Sequence, residues 1–322
     1  MSNEHPTVAY QLDERPKLSF AGPQALWYLN QLVSNQVEEL PAGQGMEALL
    51  LTPKGRITSV LRVLSTVQGA LVDADGGDRQ AIYDFFANRV FATRVKVGDV
   101  TDDFSILRLL GPNALTTMAD GLELSQAMPE GAHANLSVGS AVLVTLAPPL
   151  EGVDLWVSHD RKPDILSLLD ASNVRTIDRH EYEAMRVEAG APAFDPDLLG
   201  SYLPQEAALE RAVHFKKGCY LGQEAVAMAQ RGRVKKRLRH LHFASEPALG
   251  EVSYEDQACG TVTSVSRRGY GIGMVKTSVP VDAQVLVGDL RAPATVRELP
   301  ATTYGPAVPS ARELRERLHT PD

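Results

Sequence analysis

Apolar positions in the first hundred residues recur with two different spacings, one typical of helices and one typical of strands. Leu26, Leu29 and Val33 fall on one helical stripe, just after Pro23, which suits the first turn of a helix. The other predicted elements of this region are strands over 46–51, 57–64 and 94–97, a turn over 52–56, and a helix that begins after Asp78. This order predicts α+β layers rather than a doubly wound parallel sheet.

A second series of the same kind follows, and then the pattern changes. Strands are predicted over 104–110, 141–146 and 155–158, with helices over 113–119 and 163–169. After Lys236, short β-rich runs separated by Gly, Pro and Asp are typical of a small barrel or sandwich. We therefore predict a first α+β unit over 1–100, a second over 101–235, a β-barrel over 236–300, and a linker with a terminal helix over 301–322. The two α+β units show no repeated sequence.

Composition limits the class of protein. The chain has 322 residues, of which 44% are hydrophobic and 22% charged, as in ordinary globular proteins with a sizeable core. Its N-terminal residues lack the apolar region of a secretory signal, and no apolar run approaches the ~18 residues of a membrane helix. We therefore expect a cytoplasmic protein. Two cysteines without a CxxC spacing make neither a disulfide framework nor a complete metal or cluster site, so we predict no resident metal.

The stretch with the strongest chemical signal is 217–224, KGCYLGQE. It brings together a lysine, two glycines, a thiol, a phenol, an amide and a carboxylate, a mixture that no hydrophobic core requires. The following Ala- and Met-rich run predicts a helix that ends near Gly232. Cys219 then precedes a helix N-terminus and neighbours Lys216 and Lys217, and both features favour the thiolate. The alternative is a glycine-containing surface loop with a small buried cysteine.

A second signal is a carboxylate in an unfavourable place. Asp178 begins a predicted helix that ends at Gly190, so Glu188 lies in its last turn. A negative charge there interacts unfavourably with the helix dipole, at a cost of about 0.3–1 kcal/mol. Arg186 is two residues away and faces another side of the helix, so it does not compensate for this charge. A ligand that presents adjacent N–H donors would suit Glu188, because a carboxylate accepts two parallel hydrogen bonds. The alternative is a solvated surface glutamate.

Basic residues are concentrated in one part of an acidic chain. The net charge is −8, but residues 211–240 hold nine Lys and Arg against one carboxylate, Glu224. Such an imbalance favours a local anionic ligand over a general nucleic-acid coat. The run from Arg231 to Arg239 is dense enough to contact RNA; the alternative is a solvated face.

Three stretches together resemble the folate-binding YgfZ family, which is related to the aminomethyltransferase (T-protein) of the glycine cleavage system. They are RVEAGAP over 186–192, LPQEA over 203–207 and KGCYLGQE over 217–224. The resemblance covers nearly the whole chain, and the last block is specific to the YgfZ branch. It implies a tetrahydrofolate site in the hole between two α+β units of ferredoxin-like type, with a C-terminal barrel closing that hole.

The resemblance also implies roles for individual residues. It places Glu188 on the 2-amino and N3–H edge of the pterin. The expected folate-binding residues are Glu188, Arg186, Lys217, Gln223 and Arg231, and the expected chemically active residues are Cys219, Lys217 and Tyr220. The implied role is the maturation or repair of iron–sulfur proteins, including enzymes that modify tRNA, and the implied partners are those client proteins.

Two departures from the family pattern bear on activity. The T-protein has acidic residues where this chain has Thr58 and Ser59, so aminomethyl transfer is the less favoured alternative. Family members carry an arginine where this chain has Met228, and Arg231 is the candidate substitute. A third alternative is an RNA- or protein-binding scaffold that uses the run from Arg231 to Arg239.

Overall fold

The computed structural model describes residues 7–199, 202–232 and 234–300. The helices are α1 (Ala25–Leu32), α2 (Arg79–Ala87), α3 (Ala114–Gly121), α4 (Lys162–Ala171), α5 (Arg179–Glu188) and α6 (Gln223–Arg231). The strands are β1 (Val8–Gln11), β2 (Lys17–Ala21), β3 (Gly45–Leu51), β4 (Ile57–Thr66), β5 (Gly69–Asp75), β6 (Lys96–Asp99), β7 (Phe104–Leu110), β8 (Asn135–Val138), β9 (Ala141–Thr145), β10 (Gly152–Ser158), β11 (Arg175–Thr176), β12 (Lys236–Phe243), β13 (Gly250–Tyr254), β14 (Gln257–Ser266), β15 (Tyr270–Lys276), β16 (Gln284–Val287) and β17 (Ala292–Arg297). A π-helical turn, Phe194–Leu198, and a 3-10 turn, Glu210–Ala212, link α5 to α6.

The first sheet is antiparallel and has the strand order β3-β4-β5-β2-β6. The expected hairpin is its β3–β4 pair. Helices α1 and α2 cover one face of the sheet, where Leu29 and Phe86 are fully buried in a cluster with residues of β2, β4 and β5. Asp78 accepts a hydrogen bond from the Ala81 N–H at 2.8 Å, as expected for the residue that begins α2. These elements follow one another as β-α-β-β-β-α-β.

The second sheet repeats this plan with one strand added. Elements β7 to β11, with α3 and α4, again follow one another as β-α-β-β-β-α-β, and the strand order is β11-β1-β7-β10-β9-β8. The added strand is β1, which pairs antiparallel with β7 and parallel with β11. The residues assigned to the first unit, 1–100, thus supply a strand to the second sheet. Because β1 is far from β7 and β11 in the sequence, no local sequence pattern predicts that they pair.

The two sheets face each other through an apolar cluster that contains Leu64 from the first sheet and Ile106 and Trp156 from the second. The helices therefore lie on the outer faces, where α3 and α4 pack on the second sheet. The expected α+β architecture with two similar layers is confirmed.

The C-terminal strands form a closed six-stranded barrel in the order β12-β15-β14-β13-β16-β17, which confirms the predicted barrel. Leu241, Val252, Val285 and Val296 fill its interior. Gly260 allows β14 and β15 to approach closely, since a Cβ there would lie 2.3 Å from the Met274 carbonyl oxygen. The predicted terminal helix lies outside the described residues. None of the helices in the described ranges has the length and hydropathy of a membrane span.

Candidate functional site

Lys217 is buried against the end of α1. Its Nζ donates to the backbone carbonyls of Asn30 at 2.7 Å, Val33 at 2.9 Å and Asn35 at 2.6 Å. An ammonium group at these carbonyls offsets the negative end of the helix dipole. Burial lowers the pKa of Lys217 to about 8, an effect that Glu38 opposes. These contacts hold the motif on α1.

Tyr220 and Gly222 attach the other end of the motif to the β3–β4 hairpin. Tyr220 is buried in a cluster with Leu51 and Ile57, and burial raises its pKa to about 12. Gly222 has φ +83°, and a Cβ there would lie 2.5 Å from the Thr52 carbonyl oxygen, so this turn requires glycine. The hydrophobic environment of Tyr220 suits packing better than chemistry.

Cys219 is exposed between these two buried residues. A Cβ on the preceding Gly218 would meet nothing within 4 Å, so the space beside the backbone there is open. Phe215 and Leu221 are exposed on either side of it, by 38% and 40%. Gln223 begins α6, and its Nε2 donates to the Lys217 carbonyl at 3.3 Å. The motif is thus held at both ends and presents its thiol to solvent.

Glu188 ends α5, and the barrel offsets its charge. Oε1 accepts from the Ser266 hydroxyl at 2.5 Å, and Oε2 lies 3.1 Å from Nη1 of Arg268. Gly190 has φ +70° just beyond, as expected for a helix end. The charge of Glu188 therefore has the partners that its place at the end of α5 requires, but these are Ser266 and Arg268 rather than a ligand. These side chains line a cleft of about 1020 Å³ between α5 and the barrel, which we call the lateral cleft.

Arg186 points away from the lateral cleft and is almost fully buried. It donates to Asp197 at 2.7 Å, to Glu183 at 2.6 Å and to the Ser264 hydroxyl at 2.9 Å. Burial opposes its charge, but Asp197 and Glu183 raise the pKa of Arg186. Asp197 also accepts from the Thr263 hydroxyl at 2.7 Å. Arg186 therefore joins α5, the π-helical turn and the barrel.

A second cavity, of about 130 Å³, lies between the two sheets, and we call it the central cavity. Its lining includes Arg62 from β4, Arg108 from β7, and Tyr182 and Arg186 from α5. Its other polar lining residues are Arg15, Glu47, Asp75, His133 and Arg211. The expected hole between the two α+β units corresponds to this cavity.

A buried ionic network crosses the wall of the central cavity. Asp154 accepts from Arg62 Nη1 at 2.6 Å and from Arg108 Nε at 2.8 Å. Arg62 also donates to Asp73 at 2.7 Å, and Arg108 donates to the Tyr182 hydroxyl at 2.8 Å. Burial raises the pKa of Asp154, but the two arginines outweigh it and hold this pKa well below its ordinary value. The network fixes the two sheets relative to each other.

The expected site residues therefore lie in three places. Arg186 lines the central cavity, Glu188 lines the lateral cleft, and the motif residues pack on the first unit. Arg231 is the exposed last residue of α6, on which Met228 is 68% exposed. Among the described residues, no contact connects the end of α5 with the thiol of Cys219.

Sequence reasoning missed the charged wall of the central cavity. Its signal was present: Arg62, Arg108 and Asp154 each lie within a run of apolar strand residues, and Asp73 lies in a fourth strand after such a run. A charge inside an apolar strand requires a buried partner. Four such charges of opposite sign on four strands would have predicted a buried network between two sheets.

Three side chains of the basic run from Arg231 to Arg239 are engaged by the fold. Arg237 donates to Glu210, Arg239 forms an ion pair with Glu298, and Lys236 lies 4.3 Å from the centre of the Tyr202 ring. Arg231 and Lys235 are exposed. The charges available for an RNA contact are thus fewer than the sequence indicates.

Thr58 and Ser59, at the positions where the resemblance implies carboxylates in the T-protein, have hydroxyls engaged with the backbone. Thr58 donates to the Leu50 carbonyl at 3.1 Å, and buried Ser59 donates to the Gly76 carbonyl at 2.8 Å. Both hydroxyl groups are therefore used by the fold. Within the described residues, no group of three or more His, Cys, Asp or Glu side chains is arranged to hold a metal ion.

The central cavity fits the head group of a folate in chemistry more closely than in size. It offers apolar walls and a tyrosine, with carboxylates for the amino edge of a pterin. Its volume of about 130 Å³ is below the ~300 Å³ at which ligand pockets usually begin. A whole folate therefore requires side chains at the mouth to move. The larger lateral cleft has room, but Glu188 there already has two partners.

Comparisons with known proteins agree with this architecture. The model of the GCVT N-terminal domain family matches residues 10–217. The tRNA-modifying protein YgfZ of Yersinia enterocolitica is 26% identical over 256 residues, which cover 78% of this chain and 76% of that protein. A putative chloroplastic transferase of Arabidopsis thaliana is 24% identical over 88% of this chain and 68% of its own length. The crystal structure of the glycine cleavage system aminomethyltransferase T from Bartonella henselae superposes with a TM-score of 0.83 at 19% identity, over 92% of this chain and 86% of that one.

Proposed function

Because the chain belongs to the GCVT N-terminal domain family, we propose that it is a YgfZ-type accessory protein that binds tetrahydrofolate, or a one-carbon derivative of it. The clients in this proposal are iron–sulfur enzymes, including enzymes that modify tRNA, and Cys219 is the thiol that meets them. A reduced folate would supply a one-carbon carrier. The residues that would hold it are those of the central cavity, with Arg186 among them.

The observation that carries the proposal is the presentation of Cys219. Lys217 and Tyr220 are buried on either side of it, while Gly218 and Cys219 are exposed. The buried Lys217 ammonium, bound to three backbone carbonyls, holds this loop in place while the Cys219 thiol faces solvent. A loop that only connected two elements would not require such an arrangement. Thiol exchange or contact with a client cluster requires an accessible sulfur. One cysteine cannot ligate a cluster alone, so the client would supply the remaining ligands.

Two experiments test the proposal on the full chain. Calorimetry with tetrahydrofolate should give saturable binding, and its absence would remove the folate from the proposal. In a bacterial strain that lacks its YgfZ protein, the wild-type chain should restore tRNA modification. Cys219→Ala should fail to do so while keeping the wild-type unfolding temperature. Full restoration by Cys219→Ala would remove the thiol from the proposal.

The two alternative functions have weaker support. Aminomethyl transfer lacks a carboxylate at positions 58 and 59, and both hydroxyls there donate to backbone carbonyls. An RNA scaffold built on the basic run would have to rely on the exposed Arg231 and Lys235, because Arg237 and Arg239 are held in ion pairs. Salt-sensitive tRNA binding that is lost when Arg231 and Lys235 are replaced would support the scaffold.

A further inference from the structure

Residues 88–96 join α2 to β6 and include the first residue of that strand, and we call them the α2–β6 loop. The loop holds three cations, Arg89, Arg94 and Lys96, and no acidic residue. All three side chains are exposed. Within the described part of the chain none of them forms an ion pair, whereas two arginines of the basic run do. The loop therefore presents its positive charge to solvent.

The acidic residues nearest to this loop in the sequence already have partners. Asp84 of α2 accepts from the Gln80 side chain at 3.0 Å. Asp99, at the far end of β6, accepts from Nε of Arg79 at 2.7 Å. On a chain whose net charge is −8, the loop is thus a local positive surface, and such a surface favours an anionic partner.

Two aromatic rings are exposed beside these charges. Phe91 lies between Arg89 and Arg94 in the loop and is 88% exposed. Trp27 is 42% exposed and lies about one helical turn beyond Gln24, the residue that precedes α1. The apolar centre of a protein interface gathers such rings together, whereas here cations separate them. Rings that alternate with cations match the alternation of bases and phosphates along a nucleic-acid strand.

The backbone of the α2–β6 loop is held at both ends. The Arg94 N–H donates to the Gln24 side-chain oxygen at 2.6 Å, and the Gln24 N–H donates to the Arg94 carbonyl at 3.4 Å. A Cβ on Gly22 would lie 2.4 Å from that carbonyl oxygen, so glycine is required where the two segments meet. At the other end, the Arg89 N–H donates to the Phe86 carbonyl at 3.1 Å. A loop fixed in this way loses little conformational entropy when it binds a partner.

We propose that the α2–β6 loop, together with Trp27, binds single-stranded nucleic acid. Arg94 and Lys96 contact the phosphates, and a base stacks on Phe91. The strand is single because a base can stack on a side chain only when it is unpaired. This site is separate from the run from Arg231 to Arg239, and it requires neither the folate nor the thiol of the proposed function.

The test is a titration of a labelled single-stranded oligonucleotide of about twelve nucleotides with the full chain, at several salt concentrations. The same sequence is used as RNA and as DNA, and wild type should bind at least one of them. Arg94→Gln/Lys96→Gln should lower the slope of log K against log salt by about 1.4, because each phosphate contact of a single strand contributes about 0.7. Phe91→Ala should weaken binding by roughly fivefold to a hundredfold, because it removes a stacked base.

The matched control is Arg231→Gln/Lys235→Gln, which removes the same charge from two other exposed cations. This variant should keep the wild-type slope. Tryptophan fluorescence gives a second measurement, because Trp156 is fully buried and Trp27 is exposed. Binding should quench the fluorescence of wild type, and Trp27→Phe should show no quenching.

Four results would overturn the inference. They are no binding of either oligonucleotide by wild type, unchanged binding by Phe91→Ala, a slope that falls as much in the control as in Arg94→Gln/Lys96→Gln, and binding of a base-free polyphosphate as tight as that of the oligonucleotide. The last result would reduce the site to a charged surface without base stacking. None of these results bears on the proposed folate binding, which calorimetry with tetrahydrofolate tests separately.

Discussion

Replacing Lys217 by methionine tests whether this residue holds the motif in place or takes part in chemistry. Methionine keeps an unbranched apolar side chain but removes the ammonium that contacts the carbonyls of Asn30, Val33 and Asn35. If the contacts have the structural role described above, the protein should lose stability and the end of α1 should loosen. If Lys217 instead acts on a ligand, its loss should impair binding and leave stability unchanged.

The expected loss follows from the contacts. A buried acceptor left without a donor costs about 1–3 kcal/mol, and three carbonyls lose theirs. A cation at a helix C-terminus contributes a further 0.3–1 kcal/mol or so. Against this, burial lowers the pKa of Lys217 to about 8, so the ammonium is itself unfavourable where it lies. We therefore expect Lys217→Met to lower the free energy of unfolding by roughly 3–5 kcal/mol.

The measurement is denaturant unfolding, with Lys216→Met as the matched control because Lys216 is the exposed neighbour. The control should change the free energy of unfolding by less than about 0.5 kcal/mol. Amide hydrogen exchange in peptides that cover residues 25–37 should accelerate in Lys217→Met and not in the control. Equal midpoints for the two variants would refute the structural role. Unchanged stability together with lost folate binding would assign Lys217 to the ligand.

Three further predictions concern other parts of the chain. In the native protein, Cys219 should react with a thiol reagent much faster than buried Cys259, and Cys219→Ser should remove the fast phase. Asp154→Asn should destabilise the protein by about 3–5 kcal/mol in urea, because it leaves two buried arginines short of a partner; a loss below 1 kcal/mol would contradict the network. Burial lowers the pKa of His133 to about 4, so the unfolded chain binds more protons between pH 4 and 6.5 and stability should fall as the pH drops through that range. The fall from pH 7 to 5 should be about 2 kcal/mol, and it should shrink in His133→Asn, whose asparagine suits the φ of +58°.

The elements with strong local signals were predictable from the sequence. Hydrophobic periodicity correctly predicted the β3–β4 hairpin and β7. The capping residues Asp78 and Asp178 correctly predicted where α2 and α5 begin. The strands that were missed are β1, β2, β5, β8, β11, β13 and β17. β1 lies between two strands far from it in sequence, and its four residues are too few to show a period. Its position was therefore decided by tertiary pairing.

The candidate site was less predictable than the fold, and Glu188 and Lys217 show why. For Glu188, the helix dipole correctly indicated that a compensating group exists, but that argument holds equally for a ligand and for the barrel's Arg268. For Lys217, a lysine beside a cysteine suggested electrostatic activation, but the side chain turns inward to the carbonyls of α1. Local sequence fixes which charges need partners, whereas the tertiary fold decides which groups those partners are. A charge that has no partner inside the fold is therefore the better candidate for function than one whose partner the fold supplies, as it does for Glu188 and Lys217.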